Sequence, residues 1–130
     1  MKWTGNYRVN NHDTDLNNIV SLTGILRYMQ DAANCQMEEE GPSYNELFSK
    51  GLAFVLSRIK VSVYHPIYAH DEIEVSTWAC ESSGVSFNRC YSIKKNGEIA
   101  TSAIVTCVGI QDGKLTRGDE LAEIFSKYLK

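Results

Sequence analysis

The spacing of apolar residues changes near Gly51 from helical to alternating, and that change restricts what this chain can fold into. From Ser21 to about Glu40, Leu22, Ile25, Leu26, Met29, Ala32, Ala33 and Met37 recur three and four apart. This is a single apolar stripe along a helix of about five turns. Ser21 or Thr23 suits its N-cap, and Gly41–Pro42 its stop. Ser43 opens a brief second helix that Gly51 closes. Beyond it the period is two. Val55, Ile59, Val61 and Val63 alternate within Phe54–Tyr64, and Ile73, Val75 and Thr77 alternate with Glu72, Glu74 and Ser76 within Glu72–Glu81. Val85, Phe87, Tyr91 and Ile93 form another such face, and Ile99–Ile110 is a longer, nearly continuous strand. Asn96–Gly97 is a two-residue hairpin signal; Ser83–Gly84 and Asp112–Gly113 read as turns. A first strand over Trp3–Val9 and a short last helix, roughly Asp119–Leu129, complete the order. Four antiparallel strands leave one sheet face needing cover, and only the long helix is large enough to supply it. The expected architecture is α+β: a curved antiparallel sheet wrapped around a central helix.

With 130 residues, residues 1–130 make one domain, able to bury roughly 65–70% of its unfolded surface. The net charge of −3 offers no basic footprint for nucleic acid or an anionic membrane. No run approaches the 18 or so apolar residues of a membrane span, and Met1–Val9 lacks the apolar stretch of a signal peptide, so the expectation is cytoplasmic. Cys35, Cys80, Cys90 and Cys107 show no C-x-x-C spacing and read most simply as buried thiols. Neither they nor His12, His65 and His70 suggest a metal site, and no cofactor is implied.

The chemistry-bearing segment is Asn10–Val20, an acidic, Asn-rich loop running into the long helix. It sets a carboxylate and amides beside a helix N-terminus, where unbonded N–H groups stabilise a developing oxyanion. Asp15 is the candidate base or nucleophile, and Asn17 could orient a carbonyl or water. Asn18 is a weaker candidate. The backbone at Leu22, Thr23 and Gly24 would polarise the carbonyl. Against these stand bland readings: Asp and Asn favour loops as turn formers, and Gly24 could serve close helix packing. Asp13 is expected to shape the loop through local hydrogen bonds.

The segment Asp13–Val20 resembles the D-x-D-x-x-x-x-V loop of the 4-hydroxybenzoyl-CoA thioesterase-like group. Leu22–Ala33 (LTGILRYMQDAA), Leu56–Pro66 (LSRIKVSVYHP), Asp71–Trp78 (DEIEVSTW) and Phe87–Glu98 (FNRCYSIKKNGE) are similar to acyl-ACP thioesterases. Together these runs, spanning Tyr7 to Gly113, resemble hotdog-fold thioesterases. The resemblance implies hydrolysis of acyl-ACP or acyl-CoA thioesters. Arg58 and Arg89 match arginines of that pattern, and could bind carrier phosphates or pair with a carboxylate such as Glu74. Trp78 and Phe54 would line an acyl tunnel or fill the core. Two departures stand out. The family's chains carry two hotdog repeats where this one has a single repeat, so two subunits would have to pair, as a dimer or a dimer of dimers. The family's D-x-N-x-H-V-N-N motif has a His where this chain has Ile19, which points to an Asp-dependent mechanism. The same departure keeps open a non-catalytic acyl-thioester-binding protein.

Overall fold

The computed structural model describes residues 2–41, 43–83, 86–111 and 113–116. Strand β1 (Lys2–Arg8) leads through a 3-10 turn at Asn11–Asp13 to helix α1 (Leu22–Glu40). A short α2 (Tyr44–Ser49) follows, then β2 (Leu52–Val63), β3 (Glu72–Ser83), β4 (Ser86–Lys95), β5 (Glu98–Gln111) and β6 (Lys114–Thr116). The strands form one sheet in the order β1-β3-β4-β5-β2, antiparallel at every pairing, with β6 added to the end of β5. Helix α1 lies on the inner face, chiefly over β3 and β1. The expected helix at Asp119–Leu129, together with Gly84 and Asp112 of the expected turns, lies outside the described residues.

Local chemistry sets the ends of these elements. The Ser21 hydroxyl caps α1 by accepting from the Gly24 N–H at 3.1 Å. Gly41, at φ 70°, stops it and donates its N–H to the Met37 carbonyl at 2.9 Å. Ser43 and Glu46 form a reciprocal capping box at α2. Asn96 and Gly97, both at positive φ, make the two-residue turn between β4 and β5.

Two sequence expectations are corrected by packing. The buried face of α1 comprises Ile25, Tyr28, Met29, Ala32, Ala33, Gln36 and Met37, with Gly24, while Leu22 is 65% exposed and Leu26 half-buried. Tyr28 and Gln36 can turn inward because each polar tip finds a partner there. In β2 the pairing with β5 shifts between Leu56 and Arg58, so Ser57 is an extra residue. The bulge moves the inward side chains from even positions (Leu52, Phe54, Leu56) to odd ones (Ile59, Val61). Val55, expected to share a face with Ile59, is therefore on the other side and 47% exposed.

A third correction concerns sulfur. Cys80 and Cys90, read as thiols, form a disulfide between β3 and β4 with Cα atoms 6.3 Å apart. A register shift between Ala79 and Ser82 brings the two together. Their near-symmetry about the β3–β4 turn was the signal available in the sequence. Cys35 and Cys107 are free and half-buried.

Candidate active site

The loop from Asp13 to Val20 is a closed ring of backbone bonds. Thr14 bridges to Val20 and Ile19 to Tyr68, and the Val20 N–H donates to the Ile67 carbonyl at 2.7 Å. Between these anchors the Asp15 N–H donates to the Ile19 carbonyl at 2.8 Å. The Asp15 carboxylate is exposed, and its Oδ1 accepts from the N–H groups of Asn17 (2.8 Å) and Ile19 (3.1 Å). Among the described residues its Oδ2 takes no hydrogen bond. Asn17 is exposed. Asn18 sits at φ 62°, a left-handed conformation that Asn tolerates, and its carbonyl accepts from the Ala69 N–H at 2.9 Å. Loop geometry accounts for Asn18 without a ligand.

Asp13 ties this loop to the helix rather than to itself. It is 5% exposed, and Arg27 grips it with Nε–Oδ1 at 2.7 Å and Nη2–Oδ2 at 2.5 Å. The Tyr28 hydroxyl donates to the same Oδ2 at 2.8 Å and accepts from the Asn10 N–H at 3.0 Å. The Arg27 hydrogen bonds hold the Asp13 carboxyl below its ordinary pKa; burial opposes this and Tyr28 assists. Gly24 makes the approach possible. A Cβ at Gly24 would stand 2.3 Å from the Asp13 carbonyl oxygen and 2.9 Å from its Cβ. The close-packing reading of Gly24 thus has a direct physical basis, and no property of Asp13 read from the sequence foretold its union with Arg27 and Tyr28. The i, i+14 and i, i+15 separations become neighbours only once the loop folds back on α1.

At the helix start, the Gly24 N–H is consumed by the Ser21 cap. The amides of Leu22 and Thr23 find no acceptor among the described residues, so two of the three expected donors remain open. Beside them begins a cavity of about 810 Å³, which runs along α1 from Thr23 to Met37. Its far wall is the inner face of β2, β4 and β5, including Phe54, Ile59, Phe87 and Val105. This is the half of the sheet that α1 leaves uncovered. An apolar trough of this volume can hold an acyl-sized ligand.

The structure gathers only part of the expected set around this cavity. Thr23 and Arg89 line it, as does Phe54. Asp15, Asn17 and Asn18 lie outside the lining on their exposed loop, and Leu22 is at the exposed helix start. Arg58 is exposed on the outer half of β2, next to the bulge. Trp78 is half-buried on the other side of β3 from Thr77, with the Lys2 ammonium 5.2 Å from its ring centre. Arg89 is only 7% exposed and donates to Gln36 Oε1 and, at 3.2 Å, to Thr77 Oγ1. Gln36, absent from the apolar stripe, is fully buried behind the cavity wall and holds Arg89, which lines it. Among the described residues, no group of three or more His, Cys, Asp or Glu side chains could hold a metal ion.

The sequence signature of the acyl-ACP thioesterase N-terminal domain matches residues 1–115. The chain belongs to this family. Among solved structures, the YbaW probable thioesterase from Escherichia coli is similar at 20% identity and a TM-score of 0.88, over 98% of this chain and 99% of that one. A 1,4-dihydroxy-2-naphthoyl-CoA thioesterase from Synechocystis is similar at 20% identity and a TM-score of 0.79, covering 90% and 89%. The 12:0-ACP thioesterase from Umbellularia californica is similar at 18% identity and a TM-score of 0.85, over 99% of this chain but 54% of its own length. No curated protein matches by sequence. The shared architecture is the hotdog fold of thioesterases, α+β with an antiparallel sheet around one long helix. This chain spans about half the length of the Umbellularia enzyme. No helix among the described residues is long and apolar enough to cross a membrane.

Proposed function

We propose that the protein is an acyl thioesterase, hydrolysing acyl-ACP or acyl-CoA thioesters at a site shared by two subunits. The observation that carries this reading is the meeting of two features at Thr23. There the open amides of the α1 N-terminus stand at the mouth of an apolar, acyl-sized cavity. With the acyl chain along the cavity, the thioester oxygen falls near the Leu22 and Thr23 N–H groups. Each well-aimed donor of this type contributes about 3–4 kcal/mol to the transition state. Asp15 supplies the base that activates water, or attacks the carbonyl itself, through the Oδ2 that the loop leaves unbonded. Asn17 orients the carbonyl or the water, and Arg58 on the rim of β2 meets carrier phosphate.

Asp15 is outside the cavity of its own chain, which is why the reading needs a second copy. Strand β2 is a sheet edge bearing exposed Val55, Leu56, Ile59 and Val63, and its backbone is open to pairing. A homodimer, alone or doubled, covers this edge and presents one subunit's loop to its partner's cavity. The expected molar mass in solution is at least twice 14.6 kDa.

The substitution Asp15→Asn tests the chemistry cleanly. The amide oxygen still accepts from Asn17 and Ile19, so the loop keeps its shape while the carboxylate is lost. Turnover of a panel of acyl-CoA and acyl-ACP substrates is expected to fall by about 10²–10⁴-fold. Binding without hydrolysis in wild type and variant alike would instead support the second reading, a non-catalytic acyl-thioester-binding protein. That reading is favoured by one observation: Ile19 stands where the family motif carries His, and its N–H and carbonyl are spent on the Asp15 carboxylate and the Asp15 N–H.

A further inference from the structure

Arg89 is a buried charge that spends two of its five N–H donors among the described residues. The inward row of β4 is Phe87, Arg89, Tyr91, Ile93, so a guanidinium interrupts an otherwise aromatic and aliphatic face. Its Nη1 donates to Gln36 and Thr77, both neutral and both fully buried. Gln36 passes the polarity on by donating from Nε2 to Glu40 at 3.1 Å. Among the described residues no carboxylate lies within ion-pair distance of Arg89, and its Nε and Nη2 find no acceptor. Those two N–H groups form the edge of a guanidinium that grips a carboxylate in two parallel bonds. The same chain shows the motif completed: Arg27 uses its Nε and Nη2 on Asp13. An Arg cannot shed its proton, and a buried cation without an anion is costly. The open edge belongs to a residue that lines the cavity.

We propose that Arg89 is a specificity residue that receives a carboxylate at the far end of the acyl chain, so that the favoured substrates are ω-carboxyacyl thioesters. The inference rests on the reading of this cavity as the acyl site. Gln36, to which Arg89 is bonded, lies 13 residues along α1 from Thr23, about 20 Å at the helical rise, less about one turn for the tilt of its side chain. The anion bound at Arg89 is therefore remote from the thioester at the α1 N-terminus. Apolar walls between the two ends suit the methylene chain joining two polar groups. A methyl-ended chain of equal length would leave the guanidinium edge unsatisfied, which is where discrimination arises.

The test compares hexadecanedioyl- with hexadecanoyl-CoA, and dodecanedioyl- with dodecanoyl-CoA, in the full chain. Wild type is expected to show a kcat/KM at least tenfold higher for one of the ω-carboxyl members, carried mainly by KM. In Arg89→Met that ratio falls to one or below. Val105→Glu, which sets a carboxylate on the residue paired with Arg89 across β5, is expected to abolish the preference without removing the guanidinium. It serves if Arg89→Met does not fold. Equal rates for both members in wild type, or a preference that survives both substitutions, overturns the proposal. Thermal shift with monomethyl hexadecanedioate, which keeps one carboxylate, and methyl hexadecanoate, which has none, separates this outcome from failure of the thioesterase reading. A half-ester that stabilises wild type but not either variant sustains the role of Arg89 even with no hydrolysis detected. Equal stabilisation by the carboxylate-free ester, or none by either, overturns it.

Discussion

Replacing Gly24 by Ala isolates the contact on which the loop and the helix start depend. The added methyl would lie 2.3 Å from the Asp13 carbonyl oxygen and 2.9 Å from the Asp13 Cβ. Normal contact begins more than half an ångström farther out, and both obstructing atoms belong to or adjoin the backbone, so no flexible side chain can swing away. The Asp13 carbonyl also accepts from the Ser21 N–H at 2.9 Å, the residue that caps α1, so relief by moving the loop breaks that bond. Overpacking of this kind costs about 1–3 kcal/mol, and the bond lost in relaxing adds about 1 kcal/mol. Alanine recovers at most about 1 kcal/mol through helix propensity, and less in the first turn. The net expectation is a loss of about 2 kcal/mol. With an unfolding entropy of about 2.1 cal/mol/K per residue, 130 residues give about 0.27 kcal/mol/K, so Tm falls by about 7 °C. Differential scanning calorimetry, with urea unfolding as a second measure, reads the shift directly. An unchanged or raised Tm would show that the helix start and the loop are not in contact at Gly24, and the placement of the Leu22 and Thr23 amides would fall with it.

Three further outcomes are expected. Asp13→Asn should cost about 2 kcal/mol at neutral pH, below the 3–5 kcal/mol of a fully buried pair because Arg27 is half exposed. The folded carboxyl titrates below the ordinary 3.8, so this stability is present above about pH 4 and is lost as pH falls through the folded value. Urea midpoints of the two proteins should therefore converge in acid, and a constant gap down to pH 2 would contradict the pairing. Under oxidising conditions the denatured, unreduced chain should titrate as two thiols, Cys35 and Cys107, and the reduced chain as four; four before reduction would exclude the Cys80–Cys90 bond. Burial pushes the Cys107 thiol above its usual pKa, with Arg89 opposing. Its alkylation, followed by peptide mass spectrometry, should be slow at pH 8, faster above pH 9, and slowed further by a cavity ligand; rapid labelling at pH 7 would contradict its placement on the cavity wall.

How far the sequence reaches can be judged residue by residue. The Ser21 cap, the Gly41 stop and the Asn96–Gly97 turn were legible because each is a local device whose donors and acceptors lie within four residues. The Ser57 bulge was not, since one extra residue leaves alternation intact on either side of it and only the partner strand shows the slip. For the same reason Val55 was assigned to the wrong face. The loop motif drew attention to Asp15, and the fold added that its Oδ1 is occupied by backbone amides of the same turn.

Sequence alone determined the order of elements, one long helix followed by alternating strands, because hydrophobic period is a property of consecutive residues. It also carried the family, through runs distributed over most of the chain. Tertiary structure decided which polar groups meet. Asp13 with Arg27 and Tyr28, Arg89 with Gln36 and Thr77, and Cys80 with Cys90 are partners only because strands and helix fold back on one another. The cavity likewise exists because α1 lies over β3 and β1 and leaves the inner face of β5 and β2 bare. Burial makes each unmet charge or hydrogen bond expensive, so such pairings are selected in three dimensions, where distance along the chain carries no record of them.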